Sequence, residues 1–365
     1  MTFRTVLFIT IVLLIYFALH LGLFFLIRRF FSLTRPRSQV ILGLILLLLA
    51  FSFIFSFIWT IFDSHGFIRV FYYGSAVWLG VLVNALILFS LGLVFWKGAR
   101  TFGLNVAGKD LGYCLILVTT LYSGYGLINA GNLRTTTLSL SIKNLPEAWR
   151  GKRIVQISDL HLGIIHQEKT TRRIVSKIKE QKADLIVITG DLFDGTGDDL
   201  ARIIRPFRDI TSPVFFITGN HETYLGLEKA ISAIKETPIR MLQDELIEIE
   251  GLQILGVGFP GRWERKDLEP LLRRLDSSKP SLLLTHVPVQ IDLAKRYGVS
   301  LHLCGHTHKG QMWPMPLFTQ WIYRGYDYGL HRLGDYCIYT SSGAGTWGPP
   351  MRLGSRSEIV VLTLQ

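Results

Sequence analysis

The sequence predicts a chain in two parts. A four-helix transmembrane anchor fills residues 1–130, and an α/β domain fills residues 131–365. Three observations predict this. Residues 1–130 are mostly Leu, Ile, Val, Phe and Gly, and they hold only 9 of the 39 Lys and Arg. Asp63 and Asp110 are the only acidic residues among them. From about residue 135 charge becomes ordinary, and short apolar runs alternate with amphipathic stretches.

Four apolar stretches, roughly 5–27, 40–62, 70–96 and 111–130, are long enough to cross a bilayer, which takes about 20 residues each. The first is too apolar for too long to be a signal peptide. No small-residue cleavage site follows it, and Arg28-Arg29 comes next, so it reads as a retained anchor. The loops after the first and third stretches carry Arg28, Arg29, Arg35, Arg37, Lys97, Arg100 and Lys109. The opposite side carries Arg4, Arg69, Arg134, Lys143 and Arg150. Basic loops stay on the cytoplasmic side, so both termini and the α/β domain are expected outside. Ionisable residues inside spans would mark a transport path. Only His20 qualifies, with Asn84 and Asn129 as polar amides. A lone His in a span reads as packed against a neighbouring helix.

In the second part, strands are expected at 153–158, 185–189, 214–218, 252–257, 281–285, 299–304, 336–341 and 358–364. Helices fit 169–181, 199–209, 226–236, 267–276 and 289–297, with apolar residues at helical spacing such as Ile174, Val175 and Ile178. Such alternation predicts an α/β domain with a buried central sheet. Ligands of these folds bind beyond the carboxyl ends of strands. Residues 131–365 carry 30 basic and 25 acidic residues, a surplus of 5. No basic run or nucleic-acid motif accompanies it, so nucleic acid is not an expected partner. Cys114, Cys304 and Cys337 lack zinc-knuckle spacing. A Cys304–Cys337 disulfide remains open at this stage.

The informative polar residues sit at strand ends. They read Ser158-Asp159-Leu160-His161, Gly190-Asp191-Leu192-Phe193-Asp194, Gly219-Asn220-His221-Glu222, Thr285-His286 and Gly305-His306-Thr307-His308. Taken singly, each has an ordinary structural explanation: a Gly-Asp pair caps helices, Asn220 suits a turn, and His286 suits a packed core. Five such ends in one domain point instead to one polar rim. Carboxylate oxygens and imidazole nitrogens suit Mn, Fe or Zn, and no thiolate is offered for softer ions. Two adjacent ions can clamp a phosphoryl group and acidify a water.

These blocks, in this order, resemble the calcineurin-like metallophosphoesterase superfamily over roughly residues 150–365. The run His306-Thr307-His308-Lys309-Gly310-Gln311 and the late Gly345–Arg352 stretch resemble its membrane-associated bacterial subgroup. Some of that subgroup are similar to UDP-2,3-diacylglucosamine pyrophosphatases. Lys309 departs from the pattern, which usually has Gly there. The resemblance implies a central β-sandwich flanked by helices, and two divalent ions, manganese favoured. It implies that Asp159, His161, Asp191 and His308 hold one ion. Asp191, Asn220, His286 and His306 would hold the other, with Asp191 bridging. A hydroxide shared by the ions would attack phosphorus. His221 would serve the leaving oxygen without binding metal, and Asp194 would orient His221.

Of the remaining histidines, His302 reads as packed inside the sheet, His166 and His331 as loop residues near the cleft, and His65 as unpartnered. The expected location is a bacterial cell membrane, with the lipid bilayer as partner. A short connection from the last span to Asp159 and the aromatic segment 311–330 favour a membrane-proximal or lipid-linked phosphate substrate. Pro314 and Pro316 argue for an irregular loop in that segment. The alternatives are a non-catalytic metal-binding regulatory or receptor-like membrane protein on the same fold, and a transporter with an accessory domain.

Overall fold

The computed structural model describes residues 3–261, 264 and 266–365. The chain forms two compact units, Met1–Ile128 with Gly348–Met351, and Asn129–Trp347 with Arg352–Gln365. Each is described by itself.

The first unit is built on four long apolar helices: α1 (Phe3–Phe30), α2 (Pro36–Trp59), α3 (Gly66–Thr101) and α4 (Gly108–Gly131). All four are long and apolar enough to span a membrane. Pro36 opens α2 where its missing N–H is an orphan in any case. α3 runs beyond the expected 70–96 at both ends. Aromatic and aliphatic residues pack the bundle, with Phe30 stacked on Trp96 and edge-on to Phe89. Its buried polar groups pair off. Asn84 donates to Ser123 Oγ at 2.9 Å, Ser56 and Ser75 meet at 2.8 Å, and Trp78 donates to His20 Nε2 at 3.1 Å. His20 is thus packed on a neighbouring helix, as expected. His65, expected to lack a partner, instead lies 3.3 Å from Asp63.

Among its described residues the second unit contains twelve strands. They are β1 (Arg134–Leu140), β2 (Arg153–Ile157), β3 (Leu185–Thr189), β4 (Val214–Ile217), β5 (Ile239–Met241), β6 (Glu245–Ile249), β7 (Leu252–Gly256), β8 (Ser281–Leu284), β9 (Leu301–Cys304), β10 (Gly329–Leu333), β11 (Tyr336–Thr340) and β12 (Glu358–Leu364). One six-stranded sheet has the order β1-β12-β2-β3-β4-β5, the other β10-β11-β9-β8-β7-β6. The period-two alternation of strand side chains sorts the core into three layers. Ile154, Val187 and Ile217 of the first sheet meet Ile254, Leu284 and Leu303 of the second. The outer face of the first sheet, with Val155, Ile188 and Phe216, is covered by α5 (Glu168–Glu180), α6 (Leu200–Ile204) and α8 (Leu227–Ile234). The outer face of the second, with Leu255, Leu283 and Ile338, is covered by α9 (Glu269–Leu272) and α10 (Ile291–Arg296). The result is the expected sandwich flanked by helices.

The eight expected strands are all present, and the four unexpected ones, β1, β5, β6 and β10, are the four sheet edges. Edge strands bury less, so they lack the unbroken apolar runs that mark buried strands. The expected 199–209 helix splits at Pro206, where α6 gives way to a 3-10 turn (Arg205–Asp209). The 267–276 helix shrinks to the single turn α9. In the segment 311–330, α11 (Met315–Ile322) corrects the expected irregular loop. Pro316 sits in its first turn, where proline is tolerated. The disulfide is also settled. Cys304 pairs with Thr340 and Cys337 with Leu301, the two thiols face different cores, and both are free.

Candidate metal centre

The carboxyl ends of five strands from both sheets deliver polar side chains to one place. Asp159 and His161 follow β2, and Asp191 and Asp194 follow β3. Asn220 and His221 begin the short helix α7 (Asn220–Leu225) after β4. His286 follows β8, and His306 and His308 follow β9. The backbone is unusual here. Asp159, His161, Asp191, His306 and His308 all have positive φ, between 48° and 73°. Asp and His visit this region more readily than most residues. Five cases in one cluster still mark a backbone held off its usual minima, as functional sites commonly are. Two motif glycines are required by close approach. A Cβ on Gly190 would lie 2.3 Å from His286 Nδ1, and one on Gly219 would lie 2.2 Å from Asp191 Oδ1.

All seven residues expected to bind metal converge. Asp159, His161 and His308 form one group whose donor atoms lie within 4.8 Å of one another, and Asp191, His286 and His306 form a second. Asn220 Oδ1 lies 3.2 Å from His286 Nε2 in the second group. Asp191 Oδ2 reaches both, at 3.7 Å from His161 Nε2 and 3.2 Å from His286 Nε2. His161 Nε2 and His308 Nε2 stand 3.0 Å apart, and His306 Nδ1 stands 3.1 Å from His286 Nε2. Nitrogens aimed at each other in this way share a space that suits a cation.

At several of the donors the electrostatics agree. Burial holds His306 down to about 3, and holds His308 and His221 below the usual imidazole range, with neighbouring histidines adding to it. Burial opposes ionisation of Asp191, but the charges of His286, His161 and His221 win and keep it well below the carboxylate range. Neutral imidazole and ionised carboxylate are the forms that bind metal. Three groups depart from this: burial pushes the Asp159 carboxyl up, Asp194 and Asp191 raise His161 against its burial, and His286 is raised as well. Burial would lower His286, but Asp191 and Asp159 push it up to about 9.

Asp194 is placed differently from expectation. His221 Nδ1 lies 2.9 Å from the Asp194 backbone carbonyl, whereas the carboxylate is 3.7 Å away. That carboxylate is closer to His161 Nδ1, at 3.4 Å. Asp194 thus backs His161 with its side chain and positions His221 with its main chain. His221 N–H donates to Asp191 Oδ1 at 2.9 Å. Lys309 Nζ lies 4.2 Å from the Tyr328 ring centroid. Lys309 has φ 48°, the conformation in which glycine is the relaxed choice. His166 bonds Thr346, His331 bonds the Tyr328 carbonyl, and His302 is buried between Thr285 and Tyr336.

Two residues escaped sequence reasoning. Glu222 is fully buried and accepts from the N–H groups of Asp191, Phe193 and Gly219 at 3.1, 2.9 and 2.7 Å. It ties the Asp191 and Asn220 loops together. Burial and the Asp191 charge push it up to about 7. Arg352 is also fully buried and donates to the carbonyls of Ser342, Gly343 and Gly345 at 2.7, 3.1 and 2.6 Å. The loop it fixes returns N–H donors to Ser158 and Asp159. Both residues stood inside quoted motifs, but only the fold shows what they hold.

The sequence model described as calcineurin-like phosphoesterase matches residues 152–310, the span that contains every candidate ligand. An uncharacterized metallophosphoesterase of Campylobacter jejuni is 33% identical over 258 residues, 68% of each chain. This chain belongs to the calcineurin-like phosphoesterase family. An uncharacterized metallophosphoesterase of Helicobacter pylori is 34% identical over 220 residues, and the match spans 59% of its length. A Danio rerio relative, named transmembrane protein with metallophosphoesterase domain, is 30% identical over 272 residues. That match covers 68% of this chain and 62% of the relative. Calcineurin-like phosphoesterases are metal-dependent hydrolases of phosphoesters, and the clustered donors above fit that chemistry. The four apolar helices and the transmembrane relative make this one a membrane-associated phosphoesterase.

Proposed function

We propose that this phosphoesterase cleaves a phosphate ester or pyrophosphate bond in a membrane-proximal, lipid-linked substrate, using two divalent ions. Asp159, His161 and His308 would hold one ion, and Asn220, His286 and His306 the other, with Asp191 serving both. The observation that carries this reading is Asp191 Oδ2, within 3.7 Å of one group and 3.2 Å of the other. When bound, the ions would neutralise phosphoryl oxygens and acidify a water. The imidazole and hard-oxygen donors, without thiolate, suit Mn, Fe or Zn, and the family resemblance favours manganese among them. His221 sits beside the first group, its ring centroid 4.5 Å from that of His161. Its Nδ1 is held by the Asp194 carbonyl, so Nε2 is the nitrogen left to protonate the leaving oxygen or stabilise its charge.

The lipid-linked substrate is supported by the apolar helices and by α11. No residue of α11 is buried, and Leu317, Phe318, Trp321 and Ile322 are all exposed. Large apolar side chains gathered on one short exposed helix mark an interaction surface, and Trp suits a membrane interface. α11 follows His308 closely in the chain, so docking it on the bilayer would present the metal rim to lipid. The basic excess in the loops after α1 and α3 favours an extracytoplasmic domain in a bacterial membrane. An outward-facing domain would meet outer-leaflet lipid phosphates rather than UDP-linked precursors.

Turnover of bis-p-nitrophenyl phosphate by the full-length protein, with and without added Mn²⁺, tests the activity. Elemental analysis should find two ions per chain, and one or none would sink the two-ion assignment. Metal uptake without turnover would favour the non-catalytic alternative. Reporter fusions after residue 135 and within 97–110 test the orientation, and a cytoplasmic signal at 135 would reverse it.

A further inference from the structure

Next to the candidate metal centre, the loops that follow β7 and β8 enclose a cavity of about 470 Å³, a size typical of small-ligand sites. Val257, Phe259, Leu268, Val287 and Val289 line it, and His286 stands in its wall. The Phe259 ring lies 6.0 Å from the His286 ring. A group in this cavity is therefore next to the reacting phosphorus of any ester held by the second donor group.

Among the described residues, the wall has few polar groups left with which to read a polar ligand. Thr285 Oγ is bonded to the Val287 carbonyl and to His302. Lys266 Nζ is bonded to Asp244 and the Gly258 carbonyl. Gln290 accepts from Leu268 N–H and donates to the Lys266 carbonyl. The other polar side chain lining it, Glu264, is exposed. A base or sugar placed against these residues would find few partners to replace its hydrogen bonds to water, a costly exchange. A hydrocarbon chain would lose nothing and would gain by leaving water. The four apolar helices bring the same chain to a source of such hydrocarbon.

We propose that this cavity is an acyl-chain subsite, which takes an alkyl or acyl chain attached to the phosphoryl group being cleaved. It rests on the phosphoester-hydrolase reading above and names the substrate class for that same centre. Its described lining favours lipid phosphoesters over nucleotides and sugar phosphates.

The test uses the full-length protein in lipid nanodiscs with Mn²⁺ and two kinds of probe. A dodecyl phosphonate bearing a terminal diazirine should, on illumination, label peptides covering 257–260 and 287–290. In a series of p-nitrophenyl alkyl phosphodiesters, kcat/KM should rise with chain length, by at most about fourfold per methylene. Val287→Trp should fill the cavity, abolish the label and lower the dodecyl-to-ethyl ratio of kcat/KM by about tenfold, the value of two methylenes or fewer. Should that variant not fold, Val289→Trp at the half-exposed rim should give the same changes. Label confined to α11 or to α1–α4, or a ratio unchanged by either variant, overturns the subsite. Cavity labelling without turnover of any ester would support the subsite and sink the hydrolase reading instead.

Discussion

The two units bury polar side chains in opposite ways. In the helical unit each buried polar group finds a local partner: Asn84 has Ser123, Ser56 has Ser75, and His20 has Trp78. Among its described residues no Asp, Glu, Lys or Arg is buried. In the α/β unit, Asp159, His161, Asp191, His286 and His308 are buried together, with donor atoms pointed at common spaces. A polar pair is complete in itself and holds helices together. A crowd of like donors is incomplete without a bound cation, because burial and mutual repulsion oppose it. The contrast separates an anchor from a reaction centre without reference to any relative.

If the contrast is right, substitutions should rank by how many donors depend on the altered atom. Asp191→Asn stands first, since both donor groups depend on Oδ2. Metal should fall in both sites, and turnover should drop by at least about 10³-fold, the scale of metal charge stabilisation. Elemental analysis beside kinetics checks it, and retention of two ions would break the sharing assigned to Asp191. His221→Ala comes next. It should keep both ions and lose about 10²- to 10⁴-fold in rate, as expected for a positioned acid. Metal lost in proportion to rate would move His221 into the ligand set.

Asp194→Asn should have a smaller effect, about 10- to 100-fold on metal affinity through His161. Its carbonyl, and hence the His221 contact, survives the change. Metal titration of the variant decides between this and a direct effect on His221, which would leave affinity untouched. Asn84→Ala should do least. Hydrogen bonds between membrane helices contribute only about 0.6 kcal/mol each. Turnover and metal content should match the parent, with only a slight loss of thermal stability in detergent. A catalytic defect there would erase the distinction between the units.

The sequence by itself determined the four apolar helices, the eight interior strands and the five polar strand ends, and the family resemblance picked the seven ligand candidates from those ends. Each is written locally. A span is a run of apolar residues, an interior strand is buried on both faces and so reads as continuous Val, Ile and Leu, and the ligands are polar residues placed where such runs stop. The tertiary structure decided the rest. β1, β5, β6 and β10 exist because a neighbouring strand offers hydrogen bonds, and their half-exposed sequences carry no comparable mark. Cys304 and Cys337 seemed able to pair until the β9–β11 register set them on opposite faces. Glu222, Arg352 and the true partner of the Asp194 carboxylate are long-range facts. Glu222 reaches one loop 29 to 31 residues away, and Arg352 holds a loop that supports Asp159. A sequence states which groups are available for burial. Which buried charge rests against which backbone is settled only when distant strand ends meet, since the hydrogen bonds that repay burial are made there.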